Sequence, residues 1–554
     1  MNREREKIHV DVAGVTKEIE KGISLFELAS SLKENRGLDV LLAKVDNRLK
    51  ELHFKLEKDC KVQFVDLSSQ DGLRIYKRSL FFVLMKAAKE AYPERHLNIR
   101  HSLSRGTYCE LRGENPLQEE DVRRLEGKMK EIAAMDIPMV RRLITVREAR
   151  EIFNQDKDYD KVSLLKHYEK ETLSIYGCGD MANYLYGYMV PHTGYLKQFE
   201  LMYYPPGFIL RYPDNHSPYE IPAYVENRKL FQVIDEYKNW GKILNVSHVG
   251  ALNEIIASGK AGDLIRVSEA LHEKKIAHIA DKIKEDASNI KIVLISGPSS
   301  SGKTTFAQRL AIHLRVNGLK PVNISLDDYF VNRGQTPRDE NGELDFEAVE
   351  AIDIELFNQH LRRLIQGKAV EVPIFNFHTG SREPKGRELK LVDDEIMIVE
   401  GIHGLNERLT FAIPRKNKFK IYVSALTQLS RDDYNPNSTT DTRLIRRMVR
   451  DFNFRSNSPL QTFKMWPSVR RGELRNIFPF QEQADVMFNS ALVYELAVLK
   501  NFAEPLLKQI DDSHEKCTEA RRLISFLRFF LPISPDEIPN TSIMREFIGG
   551  SVLY

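Results

Sequence analysis

The run Lys291-Ile-Val-Leu-Ile-Ser, followed at once by Gly297-Pro-Ser-Ser-Ser-Gly-Lys303-Thr304, leaves few choices for the fold around it. A short β-branched run suits a strand buried on both faces of a parallel sheet. The next segment, Thr305-Phe-Ala-Gln-Arg-Leu-Ala-Ile-His-Leu, has helical periodicity. Between them the G-x-x-x-x-G-K-[ST] pattern is met in every position. Gly297 and Gly302 let the backbone wrap an anion without Cβ clashes, so successive N–H groups and the helix N-terminus point at a phosphate. Lys303 suits charge on the β- and γ-phosphates, and the Thr304 hydroxyl suits the shell of Mg²⁺. A Gly/Ser-rich turn with a solvated lysine is the bland alternative. The strand before it and the helix after it argue against that reading.

Two further strand candidates end in acids. Pro321-Val-Asn-Ile-Ser-Leu runs into Asp327-Asp328-Tyr-Phe, and Glu395-Ile-Met-Ile-Val runs into Glu400-Gly-Ile-His-Gly. In an open parallel sheet, residues just past the carboxyl ends of strands line the ligand crevice. Asp327 is placed to accept the proton of an attacking hydroxyl, while Asp328 reads better as a cap for the next element. Glu400 stands where an acid commonly holds magnesium through water. His403 reads as a packed loop histidine. Downstream, Asp441-Thr-Arg-Leu-Ile-Arg-Arg-Met-Val-Arg-Asp places Arg443, Arg446, Arg447 and Arg450 at helical spacing. Arg443, Arg447 and Arg450 share roughly one face. That pattern fits either a phosphate-clamping lid or a salt-bridged helix.

At 554 residues the chain calls for two to four domains. A net charge of +3 gives no argument for a general nucleic-acid coat. The four cysteines, Cys60, Cys109, Cys178 and Cys517, have neither zinc-finger nor disulfide-scaffold spacing. The start lacks an apolar signal core, and the longest apolar stretch, Leu80 to Met85, is too short to span a bilayer. A reducing cytoplasm is the natural expectation. Residues 7–66 read as short strands around one helix, 74–92 and Gln118 to Met135 as helices, and 172–224 as strands and loops. The stretch from Asn227 to Ser288 reads as a helical connector.

These C-terminal motifs, in this order, resemble the uridine kinase and phosphoribulokinase family of P-loop kinases over roughly residues 290–500. The pieces that carry the likeness are Gly297 to Thr305, Ser325-Leu-Asp-Asp-Tyr-Phe, Asp345-Phe-Glu-Ala-Val-Glu-Ala-Ile-Asp353, Pro373-Ile-Phe-Asn-Phe, Glu400-Gly-Ile and Asp441-Thr-Arg-Leu-Ile-Arg-Arg. The resemblance implies an α/β domain with a parallel sheet that uses ATP and Mg²⁺. Gly297, Ser299, Ser300, Ser301, Gly302, Lys303, Thr304 and Thr305 would hold ATP, with Arg443, Arg447 and Arg450 in the lid. Thr304 and Glu400 would hold Mg²⁺, and Asp327 would be the base. Glu347, Phe375, Phe377, His378 and Arg382 would line the acceptor site. Uridine or cytidine, giving the 5′-monophosphate, is the leading acceptor; another nucleoside or a sugar phosphate is the same-class rival. The sequence departs from the uridine–cytidine kinase pattern in having Glu347 for Asp, Phe375 for Tyr, and Gly380 near the place of the base-reading histidine.

The N-terminal half resembles a different family. Residues 7–66 resemble a TGS domain, and 67–224 resemble the second additional (editing) domain of threonyl-tRNA synthetases. Ile99-Arg-His-Ser-Leu-Ser-Arg-Gly-Thr-Tyr-Cys-Glu-Leu, Tyr176-Gly-Cys-Gly-Asp and Val190-Pro-His-Thr-Gly-Tyr-Leu-Lys carry that likeness. Both N-terminal units would be α+β. At the family's H-x-x-x-H and C-x-x-x-H ligand positions this chain has Arg78, Phe82, Leu185 and Met189, which implies no deacylation there. The expected division is 1–66, 67–224, a connector at 225–289, and a kinase-like unit at 290–554. RNA or tRNA contact by the N-terminal half, and self-association, are further expectations. An RNA-associated regulator that senses ATP is the rival from a different functional class.

Overall fold

In this computed structural model the described residues are 6–32, 38–340, 342–376, 379–392, 394–427 and 429–554. The first unit is a five-stranded sheet in the order Val15–Glu20, Lys7–Val12, Cys60–Val65, Leu42–Val45, Arg48–Lys50. Lys7–Val12 and Cys60–Val65 pair in parallel, and the other neighbours are antiparallel. The alternation of the first strand places Ile8, Val10 and Val12 in the core beside Leu25 and Leu28. Ser24 and Glu27 cap the helix Leu25–Ser31 reciprocally.

The second unit is organised by the helix Gln70–Ala91, which is buried over most of its length. It starts four residues earlier than the periodicity alone suggests, because Ser69 caps it by accepting from the Gly72 N–H at 3.0 Å. It shares an apolar cluster with the helix Glu119–Ala134 and the strands His96–Leu103, Gly106–Arg112 and Gly207–Arg211. A separate three-stranded antiparallel sheet comprises Met139–Thr145, Thr172–Cys178 and Met181–Asn183.

The connector forms helices Arg228–Ile243, Val249–Ala257 and Ala261–Glu285. Packing does not respect the expected division on either side of it. One continuous core runs from Ala149, Phe153 and Leu164 through Ile265, Ile276 and Ile283 to Phe306, Val423, Leu499 and Phe547. Glu273 on the third connector helix pairs with Arg309 and with His313 (2.6 Å), both on the helix that follows the glycine loop. The neighbouring Glu269 accepts from Tyr494 Oη at 2.6 Å. The connector thus packs both against residues of the second unit and against the last one.

That last unit is built on five parallel strands in the order Lys320–Ser325, Glu395–Glu400, Ile292–Ser296, Lys418–Ser424, Val486–Asn489. The β-branched strand Ile292–Ser296 lies at the centre and is buried throughout, as a strand with both faces covered must be. Register sets Ser325 and Ile295 on either side of Glu400. The glycine loop, Asp327 and Glu400 therefore emerge at one edge of the sheet. Among the described residues, no helix is long and apolar enough to cross a membrane.

Candidate functional site

The glycine loop curls because two of its residues adopt left-handed backbone conformations, Ser300 (φ 58°) and Gly302 (φ 84°). Gly302 is constrained twice over, since an added Cβ would lie 2.6 Å from Ile543 Cγ2. A Cβ at Gly297 would strike the Val423 carbonyl. The helix Lys303–Val316 begins directly after the loop, so its free N–H groups face the concavity. Lys303 folds back over the loop and donates to the Pro298 carbonyl at 3.1 Å. Burial pushes its pKa down, while Glu400, Glu546 and Asp327 oppose the shift.

Four acids lie near this lysine, Glu400, Asp327, Glu546 and Glu347. Burial raises Glu400 to about 7, and Asp327 adds to the rise while Lys303 opposes it. Burial also lifts Glu347 to about 7, against Arg447 and Lys303, and its buried Oε2 has no hydrogen-bond partner among the described residues. Asp327 is raised by burial and pulled back by Lys303, Arg455 and Arg450. The Thr304 hydroxyl donates to Glu400 Oε1 at 3.4 Å, which brings a neutral and an anionic oxygen side by side. Such a pair suits Mg²⁺, which takes one or two carboxylates and completes its shell with water and phosphate oxygens.

The arginines lie on helix Thr439–Arg455, which rests against the glycine loop. Arg443 Nε donates to the Ser299 carbonyl at 3.0 Å, and the guanidinium pairs with Glu473. Arg447 Nη1 donates to Ser299 Oγ at 2.7 Å, and its Nε lies 3.1 Å from Asp451. Arg450 binds Asp451 at 2.7 Å. Arg446, fully buried, pairs with Glu495 and donates to the Ser490 carbonyl at 2.9 Å and to the Ser300 carbonyl of the loop at 3.4 Å. Both readings of the pattern therefore have a share, because the arginines reach the loop and each has a carboxylate partner.

The structure adds residues that the sequence reading passed over. Glu473, on helix Pro459–Asn476, accepts from the Ser299 N–H at 3.3 Å and from Arg470 at 2.6 Å. Arg455 acts on Asp327, and its own pKa falls to about 10, chiefly through Arg450. Glu546 accepts from the Thr305 N–H (3.1 Å) and hydroxyl (2.9 Å) at the start of the loop helix, where Tyr554 Oη also lies 3.4 Å from Thr305 Oγ1. No local motif marks these positions, since the helix and the chain segment that bring them lie more than 140 residues along the sequence from the loop.

On the acceptor side, Arg382 requires correction. It was expected to meet substrate, but its guanidinium donates to the Phe330 carbonyl (3.0 Å), the Tyr329 carbonyl (3.0 Å) and Asp353 (3.1 Å). It clamps the short turn that carries Asp327. Phe375 is also more interior than expected: it is buried, and its ring centre lies 5.6 Å from that of Phe330. Asp328, read as a cap for the next element, accepts instead from the Phe375 backbone, and Asn332 stands at the N-cap of the turn that follows; the turn that carries Asp327 is capped by Ser325, which accepts from the Asp327 N–H at 3.3 Å. Glu347 faces Lys303 and Arg447. His403 is buried, as read. Phe377 and His378 lie outside the described residues.

In the second unit, Phe82, Leu185 and Met189 sit in one apolar cluster. Arg78, on the same helix as Phe82, donates to the Tyr188 carbonyl at 2.5 Å. Phe82 and Leu185 have no atom able to ligate a metal or polarise a water, Met189 offers only a soft thioether, and Arg78 is a cation, so the four do not form a zinc ligand set.

With this geometry in place, comparison with known proteins adds two families. Residues 292–496 match the model of the Phosphoribulokinase / Uridine kinase family. The N-terminal part is similar to threonine–tRNA ligases. That of Symbiobacterium thermophilum is 30% identical over 197 residues, covering 35% of this chain and 30% of the relative. That of Clostridium kluyveri is 31% identical over 186 residues, covering 33% and 29% respectively. The chain thus spans under a third of the length of the curated relatives it matches. Among solved structures, a chain described as a "Possible Uridine Kinase" from Bacillus stearothermophilus aligns with a TM-score of 0.24 at 20% identity, covering 38% of this chain and 97% of that one.

Proposed function

We propose that the C-terminal unit is an ATP-dependent kinase that transfers the γ-phosphoryl group to a hydroxyl of a nucleoside, with uridine or cytidine the leading acceptor. The observation that carries this reading is the convergence of Lys303, Thr304, Asp327 and Glu400 at one end of a parallel sheet. The family match over residues 292–496 supports it. The loop N–H groups and Lys303 would hold the phosphates, and Thr304 with Glu400 would hold Mg²⁺, which supplies charge neutralisation when bound. Asp327 would take the acceptor's proton, and Lys303 with Arg447 and Arg450 would stabilise the transferring group. Glu347 would hold acceptor hydroxyls through its unpartnered oxygen. The deciding experiment is ATP consumption with Mg²⁺ against a panel of nucleosides and sugar phosphates. Turnover with one acceptor would name it. Tight ATP binding without turnover on any acceptor would favour an RNA-associated ATP sensor, which the similarity to threonine–tRNA ligases supports.

The acids give a pH prediction. Glu400 is neutral below about 7, and a neutral carboxyl does not hold Mg²⁺. Apparent Mg²⁺ affinity is expected to fall by up to about tenfold for each pH unit below that point, and saturating Mg²⁺ should move the rate profile to lower pH. A Mg²⁺ requirement that stays flat from pH 6 to 8 would remove Glu400 from the metal site.

Glu546 gives a second prediction. Its carboxylate holds the Thr305 N–H at the positive end of the loop helix, a place that a nucleotide phosphate would also seek. Glu546→Ala should tighten MgATP binding roughly fivefold, the equivalent of about 1 kcal/mol. Titration calorimetry would check it, and unchanged or weaker affinity would mean that the contact does not compete with nucleotide.

A further inference from the structure

Where the second unit meets the loop following strand Lys418–Ser424, two guanidinium groups act on each other and neither has a carboxylate in ion-pair contact among the described residues. Arg431, on that loop, is 9% exposed, and its Nε and Nη1 are buried without hydrogen-bond partners among the described residues. Its Nη2 makes one long contact, 3.4 Å, to the Pro436 carbonyl. Its other neighbours are ring faces, with Tyr186 at 4.8 Å and Phe526 at 5.6 Å. Arg78 reaches in from helix Gln70–Ala91 over Gly187, where an added Cβ would meet the guanidinium at 2.6 Å. Among the described residues, the only hydrogen bond Arg78 donates is to the Tyr188 carbonyl. Neither arginine makes an ion pair among those residues.

The neighbouring charges show that this is not the rule at this seam. One turn before Arg78, Arg74 binds Glu519 at 2.7 and 2.9 Å; Glu519 binds Arg522, and Arg522 binds Asp441 at 2.7 Å through two nitrogens. Two arginines and two acids there are in balance. Asp432, beside Arg431 in the chain, is already occupied by the Asn435 side chain (2.8 and 2.9 Å) and by the Tyr434 and Asn435 N–H groups (2.9 Å each). Burial and the presence of Arg431 both push Arg78 down, to about 10. Two neighbouring like charges, one buried and one half-buried, with no carboxylate in ion-pair contact among the described residues are unfavourable, and cation–π contacts offset only part of that.

We propose that Arg78 and Arg431 form a binding site for the phosphate monoester group of a small molecule. A phosphate dianion matches both positive charges and offers enough oxygens for both guanidinium forks, whereas a carboxylate would leave one charge uncompensated. Arg431 is buried against the Tyr186 and Phe526 rings, which favours a small molecule over a polynucleotide backbone. The loop that carries Arg431 ends at Ser438, the N-cap of the arginine helix. An anion held there would therefore fix the start of the element that brings Arg447 and Arg450 to the glycine loop. The proposal does not depend on the kinase reading, because neither arginine lies at the glycine loop.

The test uses the full chain with the glycine loop saturated by Mg²⁺ and a non-hydrolysable ATP analogue, so that added phosphate cannot report on that loop. Inorganic phosphate, acetate and bulk tRNA are titrated separately, with hydrogen exchange followed over residues 429–437. Phosphate is expected to protect this segment in the unmodified protein. Arg78→Gln and Arg431→Gln are each expected to weaken the phosphate response about tenfold or more. Unchanged exchange with phosphate overturns the proposal even if neither variant folds. Equal protection by acetate overturns the dianion, and protection by tRNA but not phosphate overturns the small-molecule ligand. Variants that respond to phosphate as the unmodified protein does overturn the assignment of the two arginines.

Discussion

Lys303→Ala is expected to lower turnover by at least about a thousandfold while leaving the fold intact. The size of the effect follows from what the ammonium faces. Asp327 and Glu400 are each pulled back toward ionisation by Lys303, and Lys303 is itself stabilised by Glu400, Glu546 and Asp327. Alanine removes a cation from the phosphates. It also leaves burial unopposed at the acids, so Asp327 and Glu400 both move further up. A protonated Asp327 cannot accept a proton, and a protonated Glu400 cannot hold a metal. The variant should therefore lose kcat, bind MgATP more weakly, and shift its residual rate to higher pH. Steady-state kinetics across pH, with circular dichroism to verify folding, would check all three. Turnover within tenfold of the unmodified chain would remove Lys303 from the transfer step.

The parts of this site that were legible in the sequence are those whose geometry is local. A β-branched strand, a loop of fixed length and a helix start occupy consecutive residues, so the pattern around Gly297 to Thr305 carries its own three-dimensional arrangement. Strand ends at Asp327 and Glu400 were readable because parallel register places the carboxyl ends of neighbouring strands together. Glu473, Glu546 and Arg455 were not readable, since their roles depend on how a distant helix or segment docks on the loop. Arg382 misled for a related reason. Whether a guanidinium is free or already used by two carbonyls and a carboxylate is a tertiary fact. The connector was read as helical, which it is. Its apolar stripe did not say which unit it packs on, and Val249, Ile265, Ile276 and Ile283 join a core shared by the second unit and the last one. Arg431 gave no signal at all, being one charged residue in a polar loop.

Asp327→Asn separates the chemistry from binding more cleanly than any other change at the site. The side chain is held by a turn fixed at both ends: Ser325 caps it at 3.3 Å, and Arg382 grips the Tyr329 and Phe330 carbonyls at 3.0 Å each. Asparagine keeps the volume and one carbonyl oxygen, so that turn should survive. What disappears is the capacity to accept a proton, a contribution of about 10²–10⁴-fold for a positioned general base. A negative charge beside Lys303, Arg450 and Arg455 also disappears, which should hold or slightly strengthen attraction for nucleotide phosphates. The expected result is a kcat lowered about a hundredfold or more, with the MgATP dissociation constant within about threefold of the unmodified chain. The comparison with Lys303→Ala then discriminates between roles, because that variant should lose both quantities. Near-normal turnover by Asp327→Asn would mean that the acceptor's proton leaves by another route, and Glu347, with its buried unpartnered oxygen and a pKa of about 7, would be the next group to test.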